Sequence, residues 1–217
     1  MPGSPTAPDQ HNPDQHDLGK RAPGDRAPRK ALPAAELART VVFAAFIAVL
    51  GIFPGFYLGG AAVPIVLQNM GPLLAGSMLG ARRGGAAVLL FLALVALGLP
   101  LLSGGRGGIA VFAGPSGGFL VGYVLSAVVV GLIVQRAAPR PGLPILLLAN
   151  IAGVAVDYLV GIPYWAAFTG DLRAAAIQSL VFVPGDAAKL VLVSLVAAAV
   201  HRAVPAVLTG SPRNAED

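Results

Sequence analysis

The chain contains no cysteine, which excludes disulfides and thiolate metal sites and leaves the redox state of its compartment unrecorded in its residues. It is also short of charge: Asp, Glu, Lys and Arg make up only 12% of the 217 residues, and many of these crowd into the first forty positions. Histidine is scarce. His11 and His16 lie in a polar segment beside Asp14 and Asp17, where a flexible backbone cannot fix coordination geometry, and His201 stands alone. With no Ser/His, Cys/His or metal-ligand cluster, the chain is not expected to be an enzyme. Of its three lysines, none ends a GxxxxGK[ST] loop, so this polypeptide carries no Walker-type ATP site.

What the sequence has in abundance is apolar residues, at 56%, together with 28 glycines. After Arg39 it is a series of apolar runs broken by short Gly, Pro or Arg punctuation. A soluble domain could not bury so much apolar surface, whereas a helix needs roughly 20 apolar residues to cross the bilayer core. The expected fold is therefore all-α, a polytopic membrane bundle of six transmembrane helices at about 37–56, 63–79, 84–102, 117–134, 143–168 and 183–200. Residues 171–182 are apolar enough to pack as a short helix before the sixth span, which makes seven segments an alternative. Residues 1–36, rich in Pro, Asp, Gln, Lys and Arg, contain no apolar stretch and are expected to be a disordered cytoplasmic tail without a signal peptide. The membrane domain takes 37–203, and 204–217 is a short second cytoplasmic tail.

Positive charge sets the orientation. With the N-terminus inside, the cytoplasmic segments hold Lys20, Arg21, Arg26, Arg29, Lys30, Arg39, Arg82, Arg83, Arg136, Arg140, Arg202 and Arg213, and the outer loops keep Arg106 and Arg173. Both termini are thus expected in the cytoplasm. The net charge of +5 reads as this topology signal, not as a nucleic-acid surface, because the arginines are scattered at loop edges.

The site is expected at VPGDAAKL, residues 183–190. Asp186 and Lys189, three apart, share one helix face in an otherwise apolar segment, and an ionisable residue in a membrane span lines a cavity, meets a partner or serves a ligand. Pro184 suits a helix start. Each charge also has a plainer reading, Asp186 as a helix-dipole partner and Lys189 as a side chain snorkelling to the outer interface. Other groups could complete the site: the amides of Gln68 and Asn69, Asp157 and Tyr158 in the fifth span, and the Gly-rich outer loop after the third span, where Gly104 and Gly107 let backbone approach a ligand. Gly114, Gly118, Gly122 and Ser126 recur every four residues and favour close helix packing. Ala44 and Ala48 form a similar small-residue face, open to an internal or a partner helix. Tyr164 and Trp165 are expected in the interfacial aromatic belt.

The strings AAVPIVLQNMGPLLAGSMLGARRG, LPLLSGGRGGIAVFAGPSGGFLVGY, DYLVGIPYW and VFVPGDAAKL, in this order, resemble the BioY family of biotin-transport proteins over about residues 38–203. The motifs that carry the resemblance are VPI-x-LQ, the GG-x-GG loop followed by GP-[ST]-GG, and PGD-x-x-K. It implies an S component of an energy-coupling factor transporter in the bacterial plasma membrane, a subunit that captures biotin from outside. Asp186 and Lys189 carry over as ligand-binding positions, with Gln68, Tyr158, Gly104 and Gly107 beside them. The Ala44-x-x-x-Ala48 face resembles the one S components set against their transmembrane coupling subunit. No cofactor is implied; ATP is used only by partner ATPase subunits. Which end of biotin meets which charge is left open. Arg106 and Asp157 depart from the pattern, standing where a small and an apolar residue are expected. A solitary secondary carrier for biotin or another small vitamin is the alternative function.

Overall fold

The computed structural model describes Gly3 and residues 34–55 and 65–204. Almost all of both expected tails, with His11, His16 and the tail charges, lies outside the described residues, as do Phe56 and the start of the second span at Val63. The helices are α1 (Ala34–Leu50), α2 (Met70–Ala96), α3 (Gly117–Arg136), α4 (Leu143–Thr169), α5 (Leu172–Ser179) and α6 (Val183–Ala203), with a 3₁₀ turn at Ile109–Ala113 between α2 and α3. Among the described residues there is no strand, only an isolated bridge between Leu102 and Arg106. By length and composition four helices, α2, α3, α4 and α6, are long and apolar enough to cross a membrane.

Two helical stretches meet within α2 at Gly80, where φ is 78° and the backbone leaves the helix. A Cβ on Gly84 would lie 2.8 Å from the carbonyl oxygen of Ala75. Nine residues of straight helix would hold those positions about 13.5 Å apart, so the chain doubles back into two antiparallel arms. The break falls between the expected second and third spans. The first arm, from Met70, is about 15 Å long, roughly half the hydrocarbon thickness. This corrects the expected second span: residues 65–69 ahead of the arm are turn and irregular backbone, not helix. Irregular backbone persists at membrane depth only where protein or a cavity satisfies its polar groups. Here a carbonyl in that stretch, that of Val66, accepts from Lys189.

Glycine lets α3 reach both neighbours. A Cβ on Gly131 would overlap the backbone of Gly80 and Ala81, so α3 packs directly onto the turn of α2. On the α4 side, Gly118 meets Tyr164 and Val160, Gly122 meets Asp157, and Ser126 meets Gly153. The expected small-residue ridge is therefore the α3–α4 seam, except for Gly114, which stops short of α3 in the preceding loop. Gly131→Ala is expected to destabilise the protein by about 1–3 kcal/mol, the usual cost of overpacking, read as a lowered unfolding midpoint in detergent. An unchanged midpoint would mean that the α2 turn yields freely.

Two small readings change. Ala44 is buried in the core with Ile47, Val88, Phe91 and Val95, and Ala48 packs against the same cluster. Ala44 thus packs inward against α2, while Ala48 is half-buried at the edge of that cluster, and α1 exposes Val41, Val42 and Val49. Trp165 is fully buried, its ring 6.2 Å from that of Phe182, and belongs to the core instead of an interfacial belt. Tyr164 keeps one edge exposed while its hydroxyl donates to the Phe112 carbonyl at 2.7 Å.

The expected short helix exists as α5. Asp171 caps it, its carboxylate accepting from the amides of Arg173 and Ala174 at 2.7 and 3.2 Å, and Ala175 and Ser179 face inward. Contacts at one end of the bundle join the start of α1, the α2 turn and the ends of α3 and α6. Arg83 pairs with Glu36, the Gln135 side chain packs on Gly80, and His201 Nε2 lies 2.8 Å from the Ser77 carbonyl oxygen.

Candidate functional site

At the opposite end of α6, Pro184 occupies the first turn, where its missing N–H is not needed, and Asp186 and Lys189 follow on one face. Both are buried, at 4% and 8% exposure. Their ion pair is short, with Lys189 Nζ 2.5 Å from Asp186 Oδ1. The Asn69 amide bridges it, donating to Asp186 Oδ1 and accepting from Lys189, each at 2.8 Å. Tyr158, on α4, donates its hydroxyl to Asp186 Oδ2 at 2.5 Å. Lys189 also donates to the Val66 carbonyl at 2.9 Å. Lys189 thus has a carboxylate for its charge and two hydrogen-bond acceptors, the Asn69 oxygen and the Val66 carbonyl. A buried pair with one partner removed is costly, so this degree of satisfaction is what lets both charges sit among Val, Leu and Ala.

These groups wall a cavity of about 60 Å³, room for several water-sized groups. Phe119, Tyr123, Leu120 and Phe182 supply apolar surface, while Gln68, Arg106 and Asp157 add polar atoms. The paired residues 186 and 189, expected together, are together, and Tyr158 joins them. Gln68 reaches the wall in a different role. Its amide nitrogen donates to the carbonyls of Ile47 at 3.0 Å and Leu101 at 2.8 Å, and its oxygen accepts from the Ser103 amide at 3.2 Å. Both donors are spent on backbone, so Gln68 ties α1 to the loop after α2.

Gly104 and Gly107 lie off the cavity lining. Gly104, with φ of 80°, and Gly105 make the tight turn that lets Leu102 and Arg106 exchange backbone hydrogen bonds at 3.0 and 3.2 Å. Gly107 gives room for the Leu99 carbonyl, which a Cβ would overlap. Their glycine requirement is conformational. It sets where Arg106 stands.

The two departures from the family pattern both line the cavity. Asp157 is 7% exposed; its Oδ1 sits against Gly122 with no hydrogen-bond partner. Arg106 donates its Nε to the Ser103 carbonyl at 3.1 Å and, among the described residues, pairs with no carboxylate. Tyr123 and Phe119 were passed over in the sequence because aromatic residues at helical spacing in an apolar span read as core; only the fold turns them to the cavity. Asn69 was visible as an amide beside Gln68. Its bridging position was not. Chemically the arrangement is a binding site: hydrogen-bonding groups and rings face one space, and no group of three or more metal-ligating side chains occurs among the described residues.

A sequence model of the BioY family matches residues 25–206. The chain is 45% identical over 177 residues to a biotin transporter BioY of Rhizobium etli, covering 78% of this chain and 95% of that protein. It is 42% identical over 178 residues to a biotin transporter BioY of Rhodobacter capsulatus, covering 77% and 93%. Among solved structures it resembles a crystal structure of the S-component for biotin from an ECF-type ABC transporter. That match has a TM-score of 0.74 and 34% identity, covering 78% of this chain and 92% of the other.

Proposed function

Because the chain belongs to the BioY family, a multi-pass protein of the cell membrane, we propose that it binds biotin in the cavity at the start of α6 and serves as the substrate-capturing subunit of an energy-coupling factor transporter. The observation that carries this reading is the satisfied Asp186–Lys189–Asn69–Tyr158 network in the wall of an aromatic-lined cavity. Biotin offers two ureido N–H donors, a ureido carbonyl, an apolar thiophane ring and chain, and a carboxylate. Acceptors, donors, rings and apolar side chains for each of these line the cavity. The role is capture and transport, with no bond made or broken. No cofactor is held, and ATP is consumed by separate ATPase subunits acting through a membrane coupling subunit.

In this reading the six crossings are α1, the two arms of α2, α3, α4 and α6, the short first arm of α2 being continued by the irregular residues 65–69. The start of α1, the α2 turn and the ends of α3 and α6 share one end of the bundle, which suits an even number of crossings. That end carries Arg39, Arg82, Arg83, Arg136, Arg140 and Arg202, so it is the cytoplasmic end by the positive-inside rule, with the cavity toward the outer face. With this orientation we read residues 1–36 and 204–217 as cytoplasmic tails.

Titration of the purified chain with labelled biotin is expected to give saturable binding at one site per chain. In vesicles the chain alone should give at most downhill flux, and concentrative uptake should require ATPase and coupling subunits. Absence of saturable binding would overturn the biotin reading. Concentrative uptake by the chain alone, abolished by an uncoupler, would establish a self-sufficient secondary carrier instead.

A further inference from the structure

The end of the bundle away from the cavity gathers arginines from three elements around the α2 turn. Arg83, in that turn, pairs with Glu36 of α1, and Arg39 follows Glu36 by three residues on the same helix face, so α1 sets a second cation beside the turn. Arg82 stands in the turn itself. At the end of α3, Gln135 Oε1 accepts from the Ala81 amide at 3.3 Å, and Arg136 is the next residue. Arg39, Arg82 and Arg136 are all exposed.

Their charge has no counter-ion among the described residues. The carboxylate side chains described are those of Glu36, Asp157, Asp171 and Asp186: two line the cavity, Asp171 caps α5, and Glu36 is taken by Arg83. A guanidinium takes phosphate oxygens in pairs through its planar fork. Beside each arginine, on the same helix face, stands an exposed apolar side chain: Val42 three residues after Arg39, Leu89 seven after Arg82 and Leu132 four before Arg136. Cations at the helix ends above outward-facing apolar side chains match the two parts of a phospholipid, phosphate over acyl chain. A soluble acidic partner would leave the apolar flank unused.

We propose that this end of the bundle is a binding surface for anionic phospholipid, with phosphodiester groups seated on Arg39, Arg82 and Arg136 around the α2 turn and acyl chains lying along α1, the second arm of α2 and α3. The inference rests on the membrane class of the chain and is independent of the biotin reading. Basic clusters at the interfacial ends of membrane helices hold anionic headgroups by charge and by the depth at which they sit. Bound lipid would bridge three elements that meet here through one ion pair and one hydrogen bond, and so would brace the α2 turn.

The test is native mass spectrometry of the full chain, purified in detergent and given an equimolar mixture of phosphatidylglycerol and phosphatidylcholine with the same acyl chains. Wild type should retain phosphatidylglycerol about 100-fold over phosphatidylcholine, from about fivefold for each of three arginines. In the triple variant Arg39→Gln, Arg82→Gln, Arg136→Gln the preference should fall at least about tenfold. Arg173→Gln, which removes an exposed arginine at the start of α5 near the opposite end, should leave the preference unchanged. Should the triple variant not fold, each single glutamine variant should lose about fivefold. Equal retention of the two lipids by wild type overturns the proposal, and so does a preference that survives the substitutions. An equal loss in Arg173→Gln also overturns it, because net charge and not this surface would then select the lipid. A chain that selects phosphatidylglycerol but fails to bind biotin would sink the biotin reading and leave this one standing.

Discussion

Lys189→Ala is expected to lose about 2–5 kcal/mol of biotin binding, the range for truncating one partner of a buried, hydrogen-bonded charge pair. The loss comes from what stays behind. Asp186 would keep its donors from Asn69 and Tyr158, but its charge would have no counter-ion at 4% exposure, and the Val66 carbonyl and the Asn69 oxygen would each lose a donor. Folding should suffer as well, by about 3–5 kcal/mol. Removing both charges, with Asp186→Leu alongside Lys189→Leu, should recover part of that stability, since two apolar side chains need no counter-ion. The double variant should still not bind biotin. Thermal unfolding in detergent and biotin titration on the three proteins separate the terms. Wild-type affinity in Lys189→Ala would end the assignment of this pair to the site.

Gln68→Leu is expected to cost about 3 kcal/mol or more, because it orphans three backbone groups in one step, each worth about 1–3 kcal/mol when buried. Those groups are the Ile47 and Leu101 carbonyls and the Ser103 amide. The consequence reaches beyond stability. Ser103 positions Arg106, so biotin affinity should fall together with protection of the Ser103 amide in hydrogen exchange. Gln68→Glu still accepts from Ser103 but cannot donate to the two carbonyls. It should keep the Ser103 protection and lose stability, a split that a direct ligand contact would not produce. Unchanged unfolding and unchanged Ser103 exchange in Gln68→Leu would show that the strut does not hold the loop.

Particular residues show how far the sequence reached. Asp186 and Lys189 stood out because two opposite charges in an apolar run have few places to go, and helix periodicity alone puts them on one face. The α2 turn was legible at the same level: Gly80 followed by Ala81, Arg82 and Arg83 interrupts two apolar runs. Gly118, Gly122 and Ser126 declared a close-packed face through their spacing. The spacing did not say what would pack there. Ala44 had the same signature, and it packs on the protein's own core. Gln68 looked like a ligand contact because a buried amide needs partners, and any hydrogen-bonding partner satisfies that need.

The sequence by itself determined the helical membrane class, the apolar runs and their order, the family, and the charged pair at the start of α6. These are properties of composition, of local periodicity and of motifs read along the chain. Which donors are already spent, and which remain for a ligand, only the tertiary structure decided. Asn69, Val66, Tyr158 and Asp186 meet Lys189 or each other across separations of up to 123 residues. Local pattern carries no record of such distances. Whether a polar atom is satisfied depends on every group that reaches it, so Asp186 and Lys189 came out engaged with Asn69, Val66 and Tyr158 while one oxygen of Asp157 came out without a partner.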